Sequence, residues 1–349
     1  MAKNVTITEV ARRSGVSIST VSRVLNRQHS GEPQIRERVL KAARELEYTP
    51  SEAARLLAGG VRRSSSLSMS YVMHSFIPFG TYYGDILRGA EEQARRHENN
   101  LYFSTAYHQL AALGAGSTPK GTSGEDIQGL ISAGEIPQDF YEEVKKAGIP
   151  LVHINTYPEG EAADCIMCDN FAASYGVVKW LVELGHRRIA CIALGTGDPG
   201  LRTISTDERA MGYRQALFDA GLPFEPALVV WAEACLASHG HAAMERLLQV
   251  SPRPTAVFAV VDETAVGAIQ CARAKGLRVP QDLSVVGVND LDIAQMCDPP
   301  LTTVRIFREE MGRAAVARLV ELINSPGERP RRIEVLCELV KRDSCGPAP

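Results

Sequence analysis

The stretch from Thr6 to Asn26 constrains this chain more than any other. Thr6-Ile7-Thr8-Glu9 is a capping box, in which the Thr6 hydroxyl caps a backbone amide and Glu9 reaches back to the cap residue. A helix is predicted from there to about Ser14, with Ile7, Val10 and Ala11 on one face. Gly15 ends it and allows a tight turn. Ser17 is a good N-cap for a second helix, Ile18 to about Asn26. Val21, Val24 and Leu25 form the buried stripe of that helix, while Ser19, Thr20, Ser22, Arg23 and Asn26 are left outward. A third helix, about Gln34 to Leu46, is predicted to bury Ile35, Val39, Leu40 and Ala43. Two short helices, a glycine turn and a bracing helix make a helix-turn-helix module. The bland alternative is a three-helix bundle with a polar face.

Charge favours the sharper reading. Residues 1–63 carry 12 Lys/Arg against 6 Asp/Glu, net +6, and the rest of the chain carries 26 against 35, net −9. A basic head on an acidic body suits a polyanion partner for the head alone. A helix with short polar side chains and one Arg can enter a DNA major groove closely. Arg23 is placed to make a bidentate contact to guanine, Ser19 to donate to a base edge, and Ile18 to touch a thymine methyl. Thr6, Ser17, Thr20 and Asn26 are placed to hold phosphates, which set register and carry no sequence information.

Pro50 stops the third helix, Ser51 can cap a new one, and Gly59-Gly60 ends it. Helices shorter than ~12 residues are marginal alone in water, so this one needs support from a second subunit or from DNA. Ala54 and Leu57 are assigned to its DNA-facing side. Leu57 is either a wedge that kinks the duplex from the minor groove or an apolar residue packed on the next domain.

After Ser64-Ser65-Ser66, apolar runs alternate with amphipathic stretches. LSMSYVM, IPLVHIN, RRIACIAL, TAVFAVV and LSVVGV read as buried strands. The intervening segments, such as GDILRGAEEQARRH and EEMGRAAVARLVELI, read as helices. The alternation predicts parallel sheets with helices on their faces, in a length sufficient for two subdomains. The expected organisation is a headpiece over 1–49, a hinge helix and linker over 50–63, and a core over 64–349.

The runs TITEVARRSGVSISTVSRVLN (6–26) and RERVLKAARELEYTPSEAARLLAGG (36–60) resemble the LacI/GalR family of bacterial repressors. DERAMGYRQAL (207–217), the stretch from 253 to 304, EEMGRAAVARLVELI (309–323) and ELVKRDS (338–344) extend the resemblance, and residues 67–165 match weakly. The resemblance implies an all-α helix-turn-helix headpiece with a hinge helix, then an α/β periplasmic-binding-protein-like core of two parallel-sheet subdomains. Chain crossovers are expected near 165 and 290–300, followed by a C-terminal return. It implies a homodimer on a pseudo-palindromic operator, controlled by a small-molecule effector, with Leu57 as the wedge. A sugar or sugar derivative is the commonest effector class in the family, and a nucleobase or another metabolite is the alternative. The effector would sit in the cleft at the carboxyl ends of the strands. On matching motifs, Arg209 is the anchor for paired ligand oxygens. Asp262 is the acidic half of an Asn-Asp pair whose other half is Val261 here. Asn289 falls where many sugar-binding members carry Asp, and it can donate as well as accept. Phe79, Tyr82 and Tyr83 either stack on a ligand ring or pack in the core.

Several motifs point elsewhere and are discounted. Residues 195–200 spell G-x-G-x-x-G after a strand, but Pro199 removes an amide and the next helix starts only near Ser205. Cys165 and Cys168 form a lone CxxC inside a probable strand, which makes a poor zinc site. His239-Gly240-His241 is expected at a turn or helix start. No catalytic residue, cofactor or metal is expected. The N-terminus has no signal-peptide core and no apolar run approaches ~20 residues, so a cytoplasmic protein with thiol cysteines is expected. The rival classes are a transport-type binding protein, a nucleotide-dependent enzyme built on residues 195–200, and a regulator that has lost its ligand.

Overall fold

The computed structural model describes residues 7–25, 33–46, 66–73, 81–105, 119–121, 126–134, 137–158, 160–195 and 204–349. The chain divides into two compact units, Met1–Ser65 and Ser66–Pro349.

The first unit contains α1 (Ile7–Ser14), α2 (Ile18–Leu25) and α3 (Pro33–Glu45). Gly15 sits at φ +66 with open space where a Cβ would stand, so conformation alone requires glycine there. Ser17 Oγ accepts from the Thr20 amide at 3.2 Å and so caps α2. Val10, Ala11, Val21, Val24, Val39, Ala42 and Ala43 form the small core. Ile35 and Leu40, expected inside, are only half-buried, and Ala42 takes the inward position. The predicted hinge helix lies outside the described residues.

The second unit is built on two six-stranded sheets. The first lobe holds β1 (Ser68–Met73), α4 (Thr81–Arg96), β2 (Asn100–Thr105), β3 (Gly129–Ala133), α5 (Gln138–Lys146), β4 (Leu151–Ile154) and β5 (Asp164–Cys168). The second holds α6 (Asn170–Glu183), β6 (Ile189–Leu194), α7 (Ile204–Asp219), β7 (Val229–Ala232), α8 (Ala237–Leu248), β8 (Ala256–Ala259), α9 (Asp262–Ala274), β9 (Ser284–Asn289), α10 (Asp292–Met296) and β10 (Thr302–Ile306). The chain then returns α11 (Arg308–Asn324) and β11 (Arg332–Val335) to the first lobe and ends with β12 (Cys337–Val340) in the second. The strand orders are β11-β5-β4-β3-β1-β2 and β12-β10-β9-β8-β6-β7. All pairings are parallel except β10 with β12. Strands such as β1, β5 and β9 are buried along their whole length, as parallel strands covered on both faces must be.

The lobes are joined by three short passages: Cys168 to Asn170, Ile306 to Arg308, and Val335 to Cys337. The second falls later than the 290–300 expected from the sequence. The reason is that β10 is a full strand of the second sheet, paired with β9 from Thr302 to Arg305. Cys168 pairs with Val335 and Cys337 pairs with Ile306, so the three passages run side by side at one edge of both sheets.

Candidate functional site

In the headpiece, Ile18 is 47% exposed at the start of α2. Ser17 is exposed, and its hydroxyl bonds Thr20 Oγ1 at 2.8 Å. Thr20, expected outward, is half-buried. Ser19 and Arg23 lie on α2, but their side chains, like Thr6, Asn26, Ala54 and Leu57, fall outside the described residues.

In the second unit the candidate ligand groups come from strand ends, where open α/β sheets place their sites. Arg209 lies on α7 and is 3% exposed. Three residues on, Gly212 sits so close to α6 that a Cβ would meet Phe171 O at 2.4 Å. That approach brings Arg209 to the first passage, where its Nε donates to Asn170 Oδ1 at 2.9 Å. Its Nη1 donates to Val260 O at 2.7 Å, at the end of β8. Asn170 in turn donates from Nδ2 to Glu208 Oε2 at 3.1 Å, and Glu208 pairs with Arg332 of β11 at 3.0 Å. The guanidinium is therefore held in one orientation, with further N–H groups remaining for a ligand.

Across from it, Tyr82 on α4 accepts a hydrogen bond from Asn155 Nδ2 at 2.7 Å and packs edge-on to Tyr83, with ring centroids 5.1 Å apart. Burial pushes the Tyr82 phenol upward, the nearby Cys168 adds to that, and Arg209 opposes it. Burial likewise raises the Tyr71 phenol, with Tyr82 and Tyr83 close by. Asn155 and Asn289 follow or end β4 and β9 with φ of 61 and 123, left-handed conformations that are costly for side chains with a Cβ. Arg308 of the second passage, at the start of α11, donates from Nε to Asp85 Oδ2 at 2.9 Å and from Nη1 to Asn289 O. It thus ties α4 of the first lobe to β9 of the second. Tyr71 Oη, Asn155 Oδ1, Asn289 Oδ1 and Glu263 Oε2 are buried with no hydrogen-bond partner among the described residues. Buried unpaired polar atoms are costly, and a polar ligand or an ordered water would satisfy them.

Arg209, Tyr82, Tyr83 and Asn289 are thus brought to one cleft. Phe79 and residues 196–200 of the G-x-G-x-x-G lie outside the described residues. Asp262 differs from its expected role. It is fully buried, Oδ1 accepts from Thr303 Oγ1 at 2.5 Å, and Oδ2 accepts from the Leu291 amide at 2.8 Å. Burial pushes its carboxyl up to about 7, against those two hydrogen bonds. Oδ1 is thereby tied to β10 and Oδ2 to the turn between β9 and α10, so both oxygens are already engaged within the second lobe. Cys165 and Cys168 are three apart on β5 and so project to opposite faces. Cys168 Sγ donates to Asn170 Oδ1 at 3.0 Å, in the cleft. Sequence reasoning missed Asn155, Asn170, Glu263, Tyr71 and Arg308. The only signal for Asn155 was its place directly after an apolar strand, and Arg308 had none.

A separate cavity of about 410 Å³ opens beside Arg308, lined by Asp85, Arg88, Asp290, Arg305, Glu309 and Arg313 among others. Its walls are paired with each other: Asp290 accepts from Arg342 and Arg305, which hold its carboxyl below the ordinary value although burial opposes them. It lacks Arg209 and Tyr82 and most of its lining side chains are charged, so the strand-end cleft is the better ligand site.

A three-helix headpiece and a two-lobed core with a polar cleft define a ligand-responsive DNA-binding protein. The comparisons agree. Residues 6–51 match the bacterial regulatory proteins of the lacI family, and residues 178–345 match the periplasmic binding protein-like domain. The chain is 32% identical over 341 residues to the ribose operon repressor of Haemophilus influenzae, covering 97% of this chain and 98% of that protein. A transcriptional regulator CelR–cellobiose complex is 29% identical with a TM-score of 0.69, covering 97% of this chain and 99% of that one. The lac repressor dimer bound to operator and the anti-inducer ONPF is 25% identical with a TM-score of 0.70, covering 98% and 99%. The chain belongs to the lacI family of bacterial regulatory proteins and is a transcription regulator of that type. No helix among the described residues is long and apolar enough to cross a membrane.

Proposed function

We propose that this regulator represses transcription from the cytoplasm by binding a pseudo-palindromic operator as a homodimer, and that a sugar or sugar derivative in the cleft sets its affinity for DNA. The observation that carries the reading is the cleft itself. Arg209 is held by Asn170 and Val260, and unpaired buried oxygens on Asn155, Tyr71 and Asn289 stand on both lobes. A polyhydroxylated ligand supplies donors and acceptors in close succession, which suits such a ring. Two relatives support the class: one is named for a ribose operon and another is solved with cellobiose. A ligand that touches both lobes favours one lobe arrangement over the other, and only that difference in affinity can change DNA binding. Arg23, Ser19 and Ile18 are assigned to base edges, Thr6, Ser17, Thr20 and Asn26 to phosphates, and Ala54 and Leu57 to the minor groove. The test is selection of genomic fragments by the purified protein at a stated salt concentration, followed by a sugar panel on the recovered site. One pseudo-palindrome whose affinity shifts with a sugar supports the proposal. Recovery of only salt-sensitive, sequence-independent binding refutes it.

A further inference from the structure

Helices α8 and α9 lie on the face of the second sheet and run parallel, as successive crossovers of a parallel sheet require. They meet at two glycines. A Cβ on Gly267 would stand 1.9 Å from Ala237 O, and one on Gly240 would stand 2.1 Å from Thr264 O. Backbones this close bring short side chains of the following turns together. One turn beyond Gly267 on α9 is Cys271. Beside Gly240 on α8 is His241, and Glu245 lies one turn further on the same face.

We propose that His241, Glu245 and Cys271 form a site for one zinc-like transition-metal ion that pins α8 to α9. The metal-ligating atoms of the three residues all lie within 4.8 Å of one another. A tetrahedral ion with bonds of ~2.0–2.3 Å needs its ligand atoms ~3.3–3.8 Å apart, so they must draw in by about 1 Å. The outer two can do this, because Glu245 is exposed and His241 is half-exposed, while buried Cys271 supplies the fixed inner vertex. Imidazole, carboxylate and thiolate together neutralise a divalent charge, and the sulfur and nitrogen donors select zinc or cobalt over magnesium or calcium. A water completes the fourth position. Lys275 Nζ pairs with Glu245 Oε1 at 3.0 Å and can keep one carboxylate oxygen while the other turns to the ion, as outer partners of metal ligands do. The site belongs to neither the cleft nor the headpiece, and the reading of His239-Gly240-His241 as a mere helix start overlooked it because its third ligand is distant in sequence.

The probe is Co2+, added alone to the full-length reduced protein carrying Cys235→Ser, so that the exposed thiol at 235 is removed. The expected result is one ion per chain, with thiolate-to-cobalt charge-transfer absorption, the strong visible bands of a four-coordinate ion, and a raised Tm. Cys271→Ser should abolish the charge-transfer band, and His241→Gln should weaken binding by about tenfold or more. Absence of the band in the parent, or a band that survives Cys271→Ser unchanged, overturns the proposal. If Cys271→Ser fails to fold, the half-exposed His241→Gln decides: unaltered Co2+ affinity rejects the site.

Discussion

Arg209 shows how one side chain serves both fold and ligand. Its Nε and one Nη1 hydrogen are committed to Asn170 and Val260, which fixes where the rest of the fork lies. Arg209→Met is expected to cost about 1.5–3 kcal/mol of effector affinity by calorimetry while leaving effector-free DNA binding in place. Unchanged effector affinity would remove Arg209 from the site. His153 offers a second test at this scale. It is buried on β4, bonded through Nδ1 to Ser132 Oγ at 2.9 Å, and burial pushes its pKa down to about 4. The unfolded chain therefore takes up this proton first. The neutral ring contributes fully above about pH 6.5, and the contribution is lost as pH falls towards 4, by about 3 kcal/mol. Denaturant melts of His153→Gln between pH 4 and pH 7 should show a correspondingly shallower fall than the parent.

At the scale of elements, the informative contacts are those that admit no substitute. Ser17 caps α2, and Ser17→Ala should lower headpiece stability by about 1 kcal/mol, read by thermal unfolding of the full chain followed through DNA binding. Gly212 lets α7 lie on α6, with Phe171 O and Tyr175 N both inside the space a methyl would need. Gly212→Ala is expected to cost about 1–3 kcal/mol, since both obstacles are backbone, and to weaken effector binding by moving Arg209 away from Asn170. A variant with native stability and native effector affinity would show that α7 shifts freely and that the Arg-x-x-Gly spacing has no positioning role.

At the scale of the whole core, three passages lie side by side, and ion pairs bind the lobes across them. Arg308 joins Asp85 to the end of β9, and Arg332 joins β11 to Glu208 on α7. These are the contacts a lobe rotation must break or carry. Below them, Arg318 of α11 is 1% exposed and pairs with Asp164 of β5 at 2.7 Å, with Glu321 and Glu328 completing its shell. Asp164→Ala leaves a buried cation short of a partner. It should cost about 3 kcal/mol in a denaturant melt, at the low end for such a loss because two carboxylates remain. A loss under about 1 kcal/mol would mean that Glu321 and Glu328 suffice.

The amino-acid sequence by itself determined the elements. The turn at Gly15 and the cap at Ser17 are local chemistry, readable within four residues. The buried strands announced themselves as continuous apolar runs because both faces of a parallel sheet are covered. β2, β3, β7 and β10 were not read as strands, and neither were β11 and β12, where RIEV and CELV mix charge with apolar residues and the pairing with β5 and β10 is set by chain segments far away. For the same reason only the tertiary structure decided the site. Asp262 stood at the right strand end, yet Thr303 and the Leu291 amide, 41 and 29 residues on, took both of its oxygens. Asn155 gained its role from Tyr82, 73 residues away. Local propensity fixes which segments are helix or strand, whereas the partner that a buried polar atom meets is chosen by how distant segments pack.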